Sequence, residues 1–347
     1  MNSSRFMTFR DRIFVAGHKG LVGGAILENL RSRGYTTLIT RGREDLNLLI
    51  EEDVDAFYAK EKPDVVFVAA AKVGGIFANN AYPADFIIEN LKVQNNLIWG
   101  AFRSGVRRLV FLGSSCIYPK LAPQPMDENC LLTGELELTN RPYAIAKIAG
   151  LELVNSLRTQ FQADYFSCMP TNLYGPRDNF HPENSHVLPA LVRRFVDAAK
   201  SQESKVVVWG TGCPRREFLY APDCADAIVH LAECLAPDYF ESSGYPFSRI
   251  SHVNIGSGQD VTIEELARLV ARHAGFKGTI EFDASKPDGT PRKLLDVSLL
   301  NSFGWRPKVS LDDGISRTIT FYRDQDAENM NQKFHPARTD KAAEQRT

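Results

Sequence analysis

RIFVAGHKGLVGGAILENLRSRG, residues 12–34, decides the fold. Ile13-Phe14-Val15-Ala16 is an apolar run of the length of a buried strand. It leads directly into Gly17-His18-Lys19-Gly20-Leu21-Val22-Gly23, a G-x-x-G-x-x-G turn, and then into a helical stretch that stops at Gly34. Glycines at these positions let the chain turn tightly and let its backbone approach a pyrophosphate, which the positive end of the following helix attracts. A glycine triplet alone says little. The strand–turn–helix context makes this one specific.

The same rhythm continues outward. Strands are predicted at Thr36–Thr40, at Asp64–Ala69 and along RRLVFLGSS, with helical segments around Glu51–Lys60 and Ala84–Arg103. Strands that are apolar throughout and alternate with helices require a parallel sheet covered on both faces. The expected fold class is therefore α/β: a Rossmann-type doubly wound parallel sheet over residues 10–176, with return segments near 217–256. Past YGPRDNF the pattern changes. KVVVWG and REFLYAPD read as strands and CADAIVHLAECL as a helix, while Thr262 and Glu265 form a capping box ahead of IEELARLVARHAG. Residues 177–216 and 257–322 are expected to form a smaller C-terminal α/β substrate domain. The polar tail, 323–347, is expected to be disordered.

Composition narrows the function. A net charge of −1 over 347 residues gives no electrostatic footprint for nucleic acid or an anionic membrane. No stretch is apolar for long enough to span a bilayer, and MNSSRFMTFRDR lacks the apolar run of a signal peptide. Six cysteines without a C-x-x-C pair argue against a zinc site or a disulfide framework, so no metal and a reduced, cytoplasmic setting are expected.

The second strand ends Thr40-Arg41-Gly42-Arg43, where an NAD site commonly carries an acidic residue for the ribose 2′-hydroxyl. Arginine there suits a 2′-phosphate, and Lys19 adds a cation nearby, so NADP(H) is favoured. Glu44 and Asp45 follow at once and weigh the other way.

RPYAIAKIAGLELVNSLRTQF, residues 141–161, supplies the chemistry. Tyr143 and Lys147 are one helical turn apart and emerge on one side, with an apolar stripe of Ala146, Ala149, Leu153, Leu157 and Phe161 expected to face inward. An ammonium beside a phenol stabilises the phenolate and eases proton transfer near neutral pH. Ser114, at the end of the RRLVFLGSS strand, can hydrogen-bond a substrate oxygen. Ser, Tyr and Lys beside a nicotinamide are what carbonyl reduction needs: hydride to carbon, proton to oxygen. Y-x-x-x-K alone is as readily an exposed helix pair. Likewise, a lone cysteine after a strand is usually a small buried hydrophobe, and a lone loop histidine a surface residue. Cys130, Cys168, Cys213, Cys224 and Cys234 are read as structural.

The segments GHKGLVG, AAAKVGGIFANNAYPADF, LGSSCIYPK, PYAIAKIAG, MPTNLYGPRDNFHPENSHVLPALVRR, VVVWGTG, REFL and FDASKPDGTPRKLLD cover most of residues 13–322. In them the chain resembles the extended short-chain dehydrogenase/reductase superfamily, and within it the enzymes that both epimerise and reduce a GDP-4-keto-6-deoxy sugar. Lys19 stands where an arginine is common. The resemblance implies GDP-4-keto-6-deoxy-D-mannose as substrate, inverted at C3 and C5 and then reduced at C4 by NADPH. It assigns the epimerisation to Cys116 and His186 and the reduction to Ser114, Tyr143 and Lys147. It assigns cofactor contacts to the glycine turn, Arg43, Leu112, Gly113, Ser114, Ser115, Lys147, Pro170, Thr171, Asn172, Leu173 and His186. For the GDP moiety it implies Arg194 and Arg216 on the diphosphate, and Trp209 and Asp288 on guanine. It also implies a homodimer formed through Ala84–Arg103 and Tyr143–Phe161. A related reductase (GDP-colitose formation, or a plain 4-reductase) shares most of these features. A non-catalytic NADP-sensing regulator would need only the glycine turn.

Overall fold

The computed structural model describes residues 6–182, 184–242, 251–286 and 288–324. Its strands are β1 (Ile13–Ala16), β2 (Leu38–Ile39), β3 (Val65–Val68), β4 (Arg108–Leu112), β5 (Asp164–Pro170), β6 (Asn172–Tyr174), β7 (Lys205–Trp209), β8 (Arg215–Tyr220), β9 (His252–Ile255), β10 (Asp260–Thr262), β11 (Thr279–Asp283) and β12 (Arg292–Lys293). The helices are α1 (Leu21–Ser32), α2 (Glu51–Glu61), α3 (Ile76–Ala81), α4 (Pro83–Arg103), α5 (Arg141–Phe161), α6 (Val187–Lys200), α7 (Ala221–Cys234), α8 (Tyr239–Ser242), α9 (Ile263–Ala274), α10 (Ser298–Ser302) and α11 (Leu311–Asp324).

Six strands form one parallel sheet in the order β2-β1-β3-β4-β5-β9. Alternation of side chains sends Ile13, Val15, Val65 and Phe67 into a core with Ile26 of α1 and Ile228 of α7. The intervening Phe14, Val66, Val68 and Phe111 pack on the other face with Phe57 of α2, Leu97 of α4 and Val154 of α5. Apolar residues at every position are thus explained by two covered faces. The expected Thr36–Thr40 strand shrinks to two residues, because β2 is an edge that pairs only through Leu38 and Ile39. The N-terminal segment is more integral than its sequence suggests: Met7 is fully buried in the first core.

The expected apolar stripe on α5 holds at Ala146 and Leu157, which are buried, but the buried face is broader and leaves Phe161 out. The helix packs on α4 as well as on the sheet, so Ala144, Lys147, Ile148, Leu151 and Val154 are buried, whereas Phe161 is 47 % exposed and lies 4.8 Å from Phe102. The expected disordered tail falls outside the described residues, apart from Arg323 and Asp324, which end α11.

Beyond β5 the chain builds smaller sheets. β8 lies between β10 and β12 and also pairs with β6, while β7 and β11 form a parallel pair. Helices α6, α9 and α11 close a second core around Val192, Phe195, Leu266, Val270, Ile315 and Ile319. Both halves of the capping box form at α9: Glu265 N donates to Thr262 Oγ1 at 3.0 Å, and Thr262 N to Glu265 Oε2 at 2.7 Å. No described helix is long and apolar enough to cross a membrane.

Glu217 of β8 ties these parts together. Its fully buried carboxylate accepts from Gly258 N at 2.7 Å, Leu295 N at 3.0 Å and Ser257 Oγ at 3.4 Å. Its backbone carbonyl accepts from Asn172 Nδ2 at 2.9 Å. Glu217→Gln keeps the shape but turns an amide N–H₂ toward N–H donors. We expect it to lower unfolding free energy by about 2–4 kcal/mol, read by urea denaturation; an unchanged midpoint would refute this role.

Candidate active site

The chain leaves β1 for β2 on one side and later enters β3 on the other, so a crevice opens beyond the carboxyl ends of β1 and β3. Gly17, at φ +85°, closes that crevice so tightly that a Cβ would lie 2.7 Å from Ala70 N. At Gly23 a Cβ would lie 2.3 Å from Gly17 O. Gly20 precedes α1 without a side-chain cap, leaving the first N–H groups of the helix free for an anion. This cradle fits a pyrophosphate.

At the crevice edge the three expected cations are not equivalent. Arg41 is ion-paired with Glu61 and stacks over Phe57. Lys19 Nζ lies 2.8 Å from Glu44 Oε1 on the exposed surface. Arg43 is exposed and makes no ion pair among the described residues. Glu44 therefore competes for Lys19, while Asp45 accepts from Gly42 N at 3.3 Å.

Beyond β4, a Cβ on Gly113 would lie 2.3 Å from Met169 Sδ, so only glycine lets the chain pass. Ser114 then caps a single 3₁₀ turn, Ser115–Ile117, its Oγ accepting from Cys116 N at 3.3 Å. Acceptance through a lone pair leaves the Ser114 hydroxyl proton available to a substrate oxygen. Ser115 turns inward and is buried, and Cys116 is 8 % exposed.

Lys147 reaches this turn from α5, donating to Leu112 O at 2.8 Å with its ammonium 4.8 Å from the Phe111 ring and 5.8 Å from that of Tyr143. Burial lowers the Lys147 amine to about 8. Burial, followed by the neighbouring Cys116, raises the Tyr143 phenol. Desolvation thus holds the phenol protonated, away from the neutral range expected from the sequence.

His186 is the N-cap residue of α6. Gly75 N donates to Asn184 O at 3.2 Å, and a Cβ at Gly75 would lie 2.8 Å from Ser185 O, so the AAAKVGG loop presses directly on the histidine turn. The residue is exposed, yet surrounding protein lowers its imidazole, followed by the charge of Lys293. Burial raises the Cys116 thiol, and Lys293 is the strongest opposing influence, ahead of Ser114 and Lys147.

Pro170 to Leu173 crosses from the large sheet to β6, with Thr171 N donating to Ile255 O at 2.9 Å. On the smaller sheets, Arg194 donates to Val207 O and Arg216 Nη1 to Arg215 O at 2.8 Å. The Trp209 indole is 69 % exposed, with Lys286 5.6 Å from its ring. Both Asp288 oxygens accept from Thr211, at 2.7 Å from its N and 2.8 Å from its Oγ1, so this carboxylate also clamps the Gly210-Thr211 turn. Of the cysteines read as structural, Cys168 and Cys224 are buried, but Cys213 is exposed.

The model of the NAD dependent epimerase/dehydratase family matches residues 13–240. The chain belongs to that family. Among its members is GDP-L-fucose synthase 1 of Arabidopsis thaliana, 56 % identical over 90 % of this chain and 93 % of the relative. GDP-L-fucose synthase of Escherichia coli K12 is 54 % identical over 90 % and 97 %. The solved structure of a GDP-6-OMe-4-keto-L-xylo-heptose reductase from C. jejuni superposes with a TM-score of 0.85 at 35 % identity, covering 92 % of this chain and 99 % of the other.

Within this epimerase/dehydratase framework the residue reading missed Lys293. It lies in FDASKPDGTPRKLLD, but nothing in the local pattern separates it from other lysines; only the pairing of β12 with β8 places it. The Lys147 amine should titrate near pH 8, against about 10.4 for an ordinary lysine. Its folded value is depressed, so the protonated form burdens the fold below about pH 8, and that burden lifts as pH rises from 8 toward the unfolded value. Competitive acetylation of the cofactor-free protein, quantified on the Lys147 peptide, checks this; a midpoint above 10 would contradict it.

Proposed function

We propose that this chain converts GDP-4-keto-6-deoxy-D-mannose to GDP-L-fucose by epimerisation at C3 and C5 followed by NADPH-dependent reduction at C4. The observation that carries the proposal is the closeness of Cys116 to Ser114, Tyr143 and Lys147, with Lys293 acting on both Cys116 and His186. A plain reductase has no use for that second acid–base pair. The synthases named above, at 54–56 % identity, support the same reading.

In this reading, Gly17, Gly20, Gly23 and the start of α1 hold the pyrophosphate. Arg43 and Lys19 take the 2′-phosphate, with Lys19 released from Glu44, and Lys147 and Thr171–Leu173 line the nicotinamide end. Bound NADPH supplies the hydride delivered to C4. Arg194 and Arg216 hold the diphosphate of the sugar nucleotide, and Trp209 offers its exposed face to guanine.

The C4 ketone acidifies the protons at C3 and C5. Cys116, as thiolate, removes a proton from one face while Ser114 and Tyr143 hydrogen-bond the enolate oxygen. His186 returns a proton on the opposite face, and the depression of its pKa makes the imidazolium a readier donor. Tyr143, kept protonated by burial, donates to the C4 oxygen during reduction, and Lys147 then stabilises the phenolate left behind. One cleft thus serves both reactions through the same C4 oxygen. The exposed apolar residues Trp99 of α4 and Phe161 of α5 suit a two-fold pairing of chains through those helices; a monomer by light scattering would refute that part.

The decisive experiment incubates the protein with the keto-sugar and NADPH in deuterium oxide. GDP-L-fucose carrying deuterium at both C3 and C5 is expected. Cys116→Ser should reduce labelled product by about 10²–10⁴-fold. Reduction at C4 without labelling at C3 and C5 would remove the roles given to Cys116 and His186.

A further inference from the structure

Lys293 lies on β12, opposite Arg216 of β8 in parallel register. It lines a cleft with Cys116, Tyr118, Glu137, Asn140 and Arg292. Among the described residues it makes no ion pair, and the reason lies in its neighbours. The Glu217 carboxylate is committed to the backbone of Gly258 and Leu295. Glu137 Oε2 accepts from Thr139 Oγ1 at 2.5 Å and from Asn140 N at 3.2 Å. On the same strand, Arg292 is engaged with Asp260 at 2.5 Å, and Arg216 repels Lys293 from the adjacent one. A part-buried ammonium with its acidic neighbours occupied directs its charge into the cleft.

We propose that Lys293 is a positioning residue for epimerisation, an unpaired ammonium in the cleft of Cys116 whose charge offsets part of the cost that burial places on the thiolate that removes the sugar protons. The groups that face the Cys116 thiol are Ser114 within its own turn, Tyr143 and Lys147 from α5, and Lys293 from β12. Lys147 is anchored to Leu112 O and serves the C4 oxygen. Lys293 has no such anchor and is the stronger of the two influences on the thiol. The same ammonium acts on His186, where it lowers the hold of the imidazolium on its proton and so eases the donation that follows abstraction by Cys116. During proton abstraction negative charge passes from sulfur to the enolate, and an ammonium in the same cleft stabilises the anion at both ends of that transfer. The inference rests on the epimerase reading and adds to it the residue that supplies the base.

The test reads the free protein, so its failure differs from failure of that reading. Iodoacetamide alkylation of Cys116, quantified on its peptide from pH 6 to 10, reports the thiolate fraction. Lys293→Met should move the profile upward by about one pH unit, making alkylation at pH 7.5 about tenfold slower. Lys293→Arg should keep the profile near that of the unmodified chain. Circular dichroism and GDP affinity are measured on both variants. An unshifted profile in folded Lys293→Met would overturn the proposal. So would loss of GDP affinity with an unshifted profile, which would make Lys293 a diphosphate ligand only. A shifted profile without C3 and C5 labelling by the unmodified chain would retain the cation's effect on Cys116 and refute the epimerase reading instead.

Discussion

The site depends on a buried carboxylate that has no cation. Glu217 sits where three pieces of chain meet: the loop after β9, which belongs to the large sheet, the segment after β12, and β8 itself. Backbone N–H donors and a hydroxyl serve its oxygens. Such donors fix geometry in a way an ion pair to a flexible lysine does not, because they belong to chain whose path is already set. Gly256 completes the arrangement, since a Cβ there would lie 2.3 Å from Glu217 Oε1. The residues flanking this knot are the ones the proposed reaction draws on. Arg216 precedes it, Lys293 lies across the strand pair, and Asn172 of the sheet-crossing segment is tied to the Glu217 carbonyl. A shift of β8 would therefore move the diphosphate, nicotinamide and thiol sides of the cleft together.

Desolvation then sets the character of the cleft. Burial pushes Tyr143 and Cys116 up and Lys147, His186 and Lys293 down, so every candidate group is driven toward its neutral form. A site of low polarity is costly for any charge that lacks a partner and amplifies each charge that is present. The incoming ligands in the proposed reaction are anionic, as is the enolate. Lysines and arginines with weakened solvation are then better partners for those anions than the same side chains on an open surface, because less hydration is lost on contact.

The sequence announced the features governed by local rules. An apolar run, a glycine turn and a helix are neighbours in the chain, so the first βαβ unit and its cradle could be read directly. Tyr143 and Lys147 share a helix face by spacing alone. Properties set by distant chain could not be read in this way. The buried face of α5 depends on where α4 lies, so Ala146 and Leu157 of the expected stripe are buried while Phe161 proved half exposed. The protonation of Tyr143 depends on how much protein surrounds it, and burial holds the phenol protonated. Lys19 and Arg41 were legible as cations but not as partners of Glu44 and Glu61. Lys293 acquires meaning only from β12 lying against β8.

Placement of Cys116 is a matter of support as much as of charge. Its turn runs into Tyr118, whose hydroxyl donates to Asn254 Oδ1 at 2.5 Å and lies 3.1 Å from His252 Nε2. The single hydroxyl proton goes to the amide oxygen, which can only accept, so His252 must be the Nε2–H tautomer donating to Tyr118. Burial holds His252 neutral, lowering it to about 3, which keeps that tautomer in place across the physiological range. Asn254 in turn donates from its backbone to Glu128 Oε1 at 2.9 Å and from its amide to Met126 O at 3.1 Å. Every link is buried and two of the four join a side chain to backbone, so the turn carrying Ser114 and Cys116 is fastened to β9 of the central sheet. In the proposed reaction the thiol meets two sugar carbons in turn, which a loose loop would not allow, since small displacements cost heavily in proton transfer. Tyr118, His252, Asn254 and Glu128 thus supply the rigidity that the charge of Lys293 requires to be effective.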